Sequence, residues 1–453
     1  MKKVLCHGVF DILHAGHLAY FEAAKKYGDH LIVSITSDRF VNKGPGRPYF
    51  TAQRRADMVR ALNVVDDVRI IDAATAIPAI EEFRPDFYVK GPDYRDLTKD
   101  VTGEIYNEKK AVESYGGKLV FTDEDSYSSS TIINRFFQGW TDQQKTTIDQ
   151  IRSLGGFNVI EKTIEAITRL KVLVIGEPIL DVYRFVNPEG ISSKSPSISA
   201  RFQYEETYHG GSMAIKSHLD SFANDVWLQA PQGMMPKKIR YISGSQRIFE
   251  VTEIEDNFWE KHNPEYFCDK IIDLSQMADV VILADFGHGL FSDHVISELL
   301  NIPSSTFVGL NVQTNSSNYG FNIYDKHMRW NYLCLDTREL RLAEHDRFAA
   351  PLEIARKIHN LGERIGVTVG PNGAYLVGEG EYFSPAFADN IVDATGAGDA
   401  YFAITTVLLA SGCNPALVPF IGNVFAGLKT QIIGNKRGVT KASLLKACQG
   451  ILK

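Results

Sequence analysis

The sequence predicts two α/β domains in tandem, each a largely parallel sheet covered by helices. Two observations carry this. Short apolar runs alternate with helical patterns along most of the chain, which is the signature of a parallel sheet with helices on both faces. The alternation also starts twice: Val4-Leu5 runs into Gly8, and Lys171–Ile175 runs into Gly176. We expect a first domain over residues 1–139, a helical connector over 140–169 and a second domain over 170–453.

In the first half, the strand at Val4-Leu5 is followed by a helical stretch from about Leu18 to Tyr27 and a strand over Leu31–Thr36. Further strands are expected at Val68–Ile71, Phe87–Val89 and Lys118–Phe121, with helical patterns at Thr51–Leu62 and Thr75–Phe83 between them. From Thr141 to Leu170 the chain is polar, amphipathic helix, broken at Gly155-Gly156, and the boundary falls there. The second half reads as strands at Lys171–Gly176, Val226–Leu228, Val280–Leu283, Phe307–Leu310, Tyr332–Leu335 and Gly366–Val369, then an apolar helix at Tyr401–Leu409.

The 453 residues are 44% hydrophobic and 23% charged, which excludes a disordered or fibrous chain. Basic residues number 48 against 55 acidic ones, so the net charge of −7 argues against a nucleic-acid partner. No apolar run reaches membrane-spanning length. The N-terminal segment meets Asp11 and three histidines before any long apolar core, so no signal peptide is expected. Five cysteines are scattered without a CxxC pair, so a reducing cytoplasm is the expected compartment.

The first chemical motif is Gly8-Val-Phe10-Asp11-Ile-Leu-His14-Ala-Gly16-His17, between the first strand and the first helix. In a parallel sheet this is the carboxyl end of a strand, where ligands bind. The helix start presents free N–H groups and the positive end of a dipole, which suits phosphate. Gly16 lets backbone approach closely, and two imidazoles can donate to oxygens that gain charge during substitution at phosphorus. Ordinary loop histidines are the plainer reading; a pair at this junction favours function.

These residues resemble the GxFDxxHxGH opening of the cytidylyltransferase-like branch of the nucleotidylyltransferases, and other pieces follow in order. The resemblance implies that Lys43 and Arg54 contact the nucleotide or second substrate. It implies that Lys90 and Asp93, in Lys90-Gly-Pro-Asp93-Tyr94, lie by base and ribose, and that Ser128, Ser129, Ser130 and Thr131 hold phosphates at a helix start. Gly8, Phe10 and Asp11 join the nucleotide site, Asp11 as a brace of the loop. The implied reaction is attack by a sugar or alcohol phosphate on the α-phosphorus of ATP or CTP, with His14, His17, Lys43 and Mg²⁺ neutralising charge. Class I aminoacyl-tRNA synthetases share the histidine arrangement, but this sequence has neither their KMSKS-like loop nor a large basic surface.

The second motif is Asp393-Ala-Thr-Gly396-Ala397-Gly398-Asp399-Ala, before an apolar helix. Consecutive N–H groups at Gly396, Ala397 and Gly398 can meet an anion, and Asp399 in the first turn can take a proton from an attacking hydroxyl. This motif resembles the C-terminal signature of the PfkB, ribokinase-like carbohydrate kinases. The likeness implies substrate contacts from Asp181, Gly210 and Gly211, an Mg²⁺-side role for Glu339, and adenine-nucleotide contacts from Thr368, Gly370, Gly373 and Asn423. Two departures stand out. Ala214 replaces the asparagine of the GGxxN pattern, and only about ten residues separate Leu228 from Arg240, where family members build part of a lid.

The pairing resembles the bifunctional heptose kinase/adenylyltransferases of surface-polysaccharide synthesis, with the domain order reversed. It implies a homodimeric enzyme taking a nucleoside triphosphate and a sugar phosphate, with no nucleic acid or membrane. The alternative for the second domain is a noncatalytic pseudokinase that binds nucleotide or supports assembly.

Overall fold

The computed structural model describes residues 1–41, 47–95, 104–123, 140–192, 194–244, 246–255, 258–316, 318–359, 363–388 and 391–453. The chain divides into two compact units, Met1–Asp142 with Leu445–Lys453, and Gln143–Leu444. Among the described residues, no helix is long and apolar enough to cross a membrane.

The first unit is built on β1 (Lys3–Gly8), β2 (His30–Thr36), β3 (Asp67–Ile71), β4 (Phe87–Lys90) and β5 (Lys118–Phe121). All its pairings are parallel and the strand order is β3-β2-β1-β4-β5. Side-chain alternation along β1 sends Val4 and Cys6 into one core and Leu5 into the other. The first core adds Phe21, Val33 and Val59; the second adds Ile32, Ile80 and Tyr88. Burial on both faces explains why these strands read as continuous apolar runs. The strand order reverses between β1 and β4, so the crevice beyond their carboxyl ends is where this topology receives a ligand.

The second unit begins with helices Asp142–Ser153 and Gly156–Ile167. They break where Gly155, at φ +117°, takes a conformation that side chains resist. Its strands are β6 (Lys171–Gly176), β7 (Pro178–Ile191), β8 (Ile198–Gly211), β9 (Asp225–Gln229), β10 (Lys237–Ser243), β11 (Gln246–Glu253), β12 (Val280–Asp285), β13 (Phe307–Val312), β14 (Tyr332–Asp336), β15 (Arg364–Thr368), β16 (Ala374–Val377) and β17 (Glu381–Ser384). Eight form one sheet, β17-β16-β15-β14-β13-β12-β6-β9, parallel except for β16 and β17. The helix Ala397–Ala410 is buried from Asp399 to Leu409, which is why it is apolar all round.

The other four strands form a second sheet, β11-β10-β7-β8. The stretch from Leu228 to Arg240 is short, yet it delivers β10 parallel to β7, and β7 and β8 run 14 residues each. The sheet lies over the glycine-rich turn, with Tyr183 Oη donating to Asp393 at 3.2 Å and Arg247 to Thr395 at 3.5 Å. β8 is exposed along most of its length before Gly210, so no buried face imposes an apolar alternation on its sequence.

Candidate active sites

In the first unit, Gly8 ends β1 and the loop beyond it turns through Phe10, held at φ +48°. The Phe10 ring meets His17 edge-on at 5.3 Å and Phe21 at 5.0 Å, fixing the approach to the helix Ala15–Lys25. His14 is the extended N-cap residue of that helix. The His14 and His17 rings stack at 3.9 Å, so both imidazoles sit together where the first free N–H groups of the helix emerge. On β1, His7 lies 2.8 Å from the Ser34 hydroxyl, and burial pushes its pKa down to about 3, which keeps it neutral.

Asp11 is 2% exposed and accepts from the N–H groups of Tyr49 at 2.7 Å and Phe50 at 3.0 Å, with Arg47 at 3.7 Å. It therefore braces the loop. Lys90 closes β4 and lies 3.1 Å from Glu108, with Tyr94 beneath its ammonium at 4.8 Å. Burial works to raise the Glu108 pKa, but Lys90 and the Ala76 N–H overcome it and hold the carboxyl low. Arg54 is exposed. Lys43, Ser128, Ser129, Ser130, Thr131 and the Asp93 side chain lie outside the described residues.

Sequence reasoning passed over Arg55. Its side chain is fully buried and donates to the carbonyls of Phe50 (2.9 Å), Val9 (2.5 Å) and Thr36 (2.9 Å), and to Asp38 (2.6 Å). One guanidinium thus ties the histidine loop, β2 and the next helix together. Arg55→Ala orphans three carbonyls and a carboxylate, and is expected to destabilise this unit by about 3–5 kcal/mol. Urea unfolding followed by a probe in the first unit measures it, and a loss under about 1 kcal/mol would contradict the clamp.

In the second unit, the turn before the central helix reaches Gly396, at φ +77°, a conformation that favours glycine. Ala397 and Gly398 open the helix, and Asp399 points into the interior. Burial raises the Asp399 pKa to about 6, opposed by the Gln313 amide, which hydrogen-bonds Oδ1. Lys429, fully buried, donates to the carbonyls of Thr395 (2.7 Å) and Gly434 (2.8 Å) and so shapes the turn. Lys238, from β10, is a further cation facing Asp399 and Asp181; burial first, and then Arg240, lowers its pKa. Neither Gln313 nor Lys238 carries a motif, and only the strand ends that hold them give a signal.

Asp181 is buried and ion-paired with Arg240, whose Nε lies 2.9 Å from Glu250. Gly210 packs so tightly that a Cβ there would lie 2.3 Å from the Asp181 carboxylate, and Gly211 starts the next helix. Thr368 ends β15, and Gly370 and Gly373 form the turn into β16. Asn423 donates to the carbonyls of Ser384 (2.7 Å) and Pro385 (3.2 Å), a bracing arrangement.

The Asp285-Phe-Gly-His-Gly289 loop is held from below by Glu177, which accepts from the N–H groups of Phe286 (3.0 Å), His288 (3.1 Å) and Leu290 (3.3 Å). Burial and the Asp285 charge raise the Glu177 pKa. Asp285 is held low against the cost of its burial by His327 and Lys326. Glu339 completes a capping box: its oxygens accept from the N–H groups of Thr314 (3.3 Å) and Asp336 (2.8 Å), and burial with the Asp336 charge raises its pKa to about 8. Each Glu339 oxygen thus accepts one backbone N–H, and the described residues hold no cluster of three or more metal-ligating side chains.

Fold and sites together define two α/β domains in series, one with paired histidines at a helix start and the other with a buried aspartate behind a glycine turn. Residues 5–135 match the cytidylyltransferase-like family and residues 329–440 match the pfkB family of carbohydrate kinases. The chain is similar to "Bifunctional protein HldE" of Syntrophotalea carbinolica, 39% identical over 135 residues, or 29% of this chain and 26% of that protein. It is also similar to the protein of that name from Campylobacter fetus subsp. fetus, 41% identical over 134 residues, 29% of this chain and 27% of that one. The chain therefore spans little more than a quarter of the length of these relatives. Among solved structures it resembles Arabidopsis thaliana ribokinase complexed with ribose and ATP, with 17% identity and a TM-score of 0.49, covering 62% of this chain and 99% of that one.

Proposed function

We propose that the chain makes a nucleotide-activated sugar: its first unit transfers a nucleotidyl group from ATP or CTP to a sugar phosphate, and its second phosphorylates the sugar precursor. The observation that carries this reading is the stacked His14–His17 pair at a helix start beyond a parallel strand. A sugar-phosphate oxygen attacks the α-phosphorus, the bond to the β-phosphate oxygen breaks, and pyrophosphate leaves. The imidazoles donate to the phosphate oxygens as charge builds, and Mg²⁺ arrives with the nucleotide as part of the substrate.

In the second unit, a sugar hydroxyl gives its proton to Asp399, its oxygen attacks the γ-phosphorus of ATP, and ADP leaves. The Gly396–Gly398 turn receives the transferring phosphate. By the resemblance stated above, the sugar is heptose-like, the enzyme is a cytoplasmic homodimer, and its product serves surface-polysaccharide synthesis.

A second reading for this unit is a noncatalytic nucleotide-binding module. It is favoured by the Asp181–Arg240 pair, which occupies the carboxylate a sugar would need. Pyrophosphate release, screened over ATP and CTP with a panel of sugar 1-phosphates, tests the first activity. Turnover with at least one pair is expected, and silence across the panel would overturn it.

A further inference from the structure

We propose that the second unit carries an anion-binding cleft separate from its transfer site, suited to a ligand with clustered phosphoryl groups. The cleft encloses about 780 Å³ and its walls include Tyr319, Thr337, Arg338, Arg341, His345 and Arg347. None of the groups assigned above to phosphoryl transfer lines it.

Three arginines meet there from the helix Thr337–Ala343 and the loop that follows. The carboxylates of the same segment have partners outside the cleft, and of them Asp346 also feels the Arg341 charge. Glu344 takes Lys357 at 2.6 Å and the Tyr324 hydroxyl at 2.8 Å, and Asp336 caps the helix. Asp346 accepts from the N–H groups of Phe348 (3.0 Å) and Ala349 (2.9 Å). Among the described residues, the ion pairs of this unit include none from Arg338, Arg341 or Arg347. A concave patch of positive charge on a chain of net charge −7 concentrates anions locally.

Two of the arginines are already oriented. Arg338 lies 4.5 Å over the Tyr319 ring, and Arg341 Nε donates to the Ala349 carbonyl at 3.1 Å, leaving its terminal nitrogens for another acceptor. A preset guanidinium fork loses less freedom on binding and matches phosphate oxygens in pairs. The wall also holds His345 at φ +54°, a strained non-glycine backbone of the kind that gathers at ligand sites. A lone carboxylate would satisfy one fork; three forks call for a phosphoryl polyanion, either a nucleotide's polyphosphate chain or a phosphorylated sugar.

Calorimetric titration of the full chain with inorganic tripolyphosphate and, separately, ribose 5-phosphate tests this; the tighter binder tells which source the cleft prefers. Arg338→Gln with Arg341→Gln is expected to weaken one binding component about 100-fold, roughly tenfold per charged hydrogen-bonding group lost. His17→Ala and Asp399→Asn should leave that component in place. The exposed Arg347→Gln alone should weaken it about tenfold, which covers the case in which the double variant folds poorly. Unchanged affinity in these arginine variants, or loss of the component in Asp399→Asn instead, would overturn the proposal. The readout is binding, so a chain without kinase turnover is tested equally well.

Discussion

His17→Ala is expected to slow pyrophosphate release by about 10²–10³-fold, with His14→Ala close behind. The loop that carries the pair has anchors besides the imidazoles. Asp11 holds the N–H groups of Tyr49 and Phe50, and Arg55 holds the Val9 carbonyl. Truncating either imidazole removes a donor aimed at developing charge without dismantling the loop. The loss should therefore appear in kcat, with nucleotide binding weakened less, because helix N–H groups and cations still receive the phosphates. The two substitutions should also be less than additive, since the rings stack at 3.9 Å and act on one charge. Steady-state kinetics of both single variants and the double variant measure this. Equal kcat across wild type and variants would remove the histidines from the chemistry.

Asp399→Asn is expected to lower ADP release by about 10²–10⁴-fold, the usual worth of a positioned general base. The pH profile carries further information. Burial raises the Asp399 pKa to about 6, so kinase turnover should rise with pH through about 6 as the carboxylate ionises. Gln313 donates to the ionised form, and Gln313→Ala should move that limb to higher pH.

The sign of the stability effect separates catalysis from folding. A buried acid whose pKa is raised on folding contributes stability at low pH that is lost as pH rises through about 6. At pH 8 the native carboxylate is therefore a strained group, and the neutral asparagine should fold at least as stably. Loss of turnover with an unchanged melting temperature is the expected combination; loss of both would make Asp399 structural.

Much of the fold was legible because parallel strands buried on both faces leave unbroken apolar runs. Lys171–Gly176 and Leu31–Thr36 are such runs, and β6 and β2 cover them. The glycine turn at Gly396 and the histidine pair were legible because backbone conformation and phosphate chemistry restrict the residues allowed there. The sheet β11-β10-β7-β8 was not, since its outer strands bury little. Arg55, Glu177 and Gln313 were also silent. Each works through a tertiary contact with a distant segment, such as Glu177 with Phe286, and local sequence does not encode which charged residue turns inward. Glu339 and Asn423 show the converse: they stand at motif positions, yet Glu339 caps its own helix and Asn423 holds the Ser384–Pro385 backbone.

The central claim is that one chain houses two separable phosphate transfers. Pyrophosphate and ADP should be quantified together for wild type, His17→Ala and Asp399→Asn, each supplied with nucleoside triphosphate, sugar and sugar phosphate. The account predicts that His17→Ala loses pyrophosphate and keeps ADP, while Asp399→Asn loses ADP and keeps pyrophosphate. Loss of both products in either variant, or of neither in both, would contradict it.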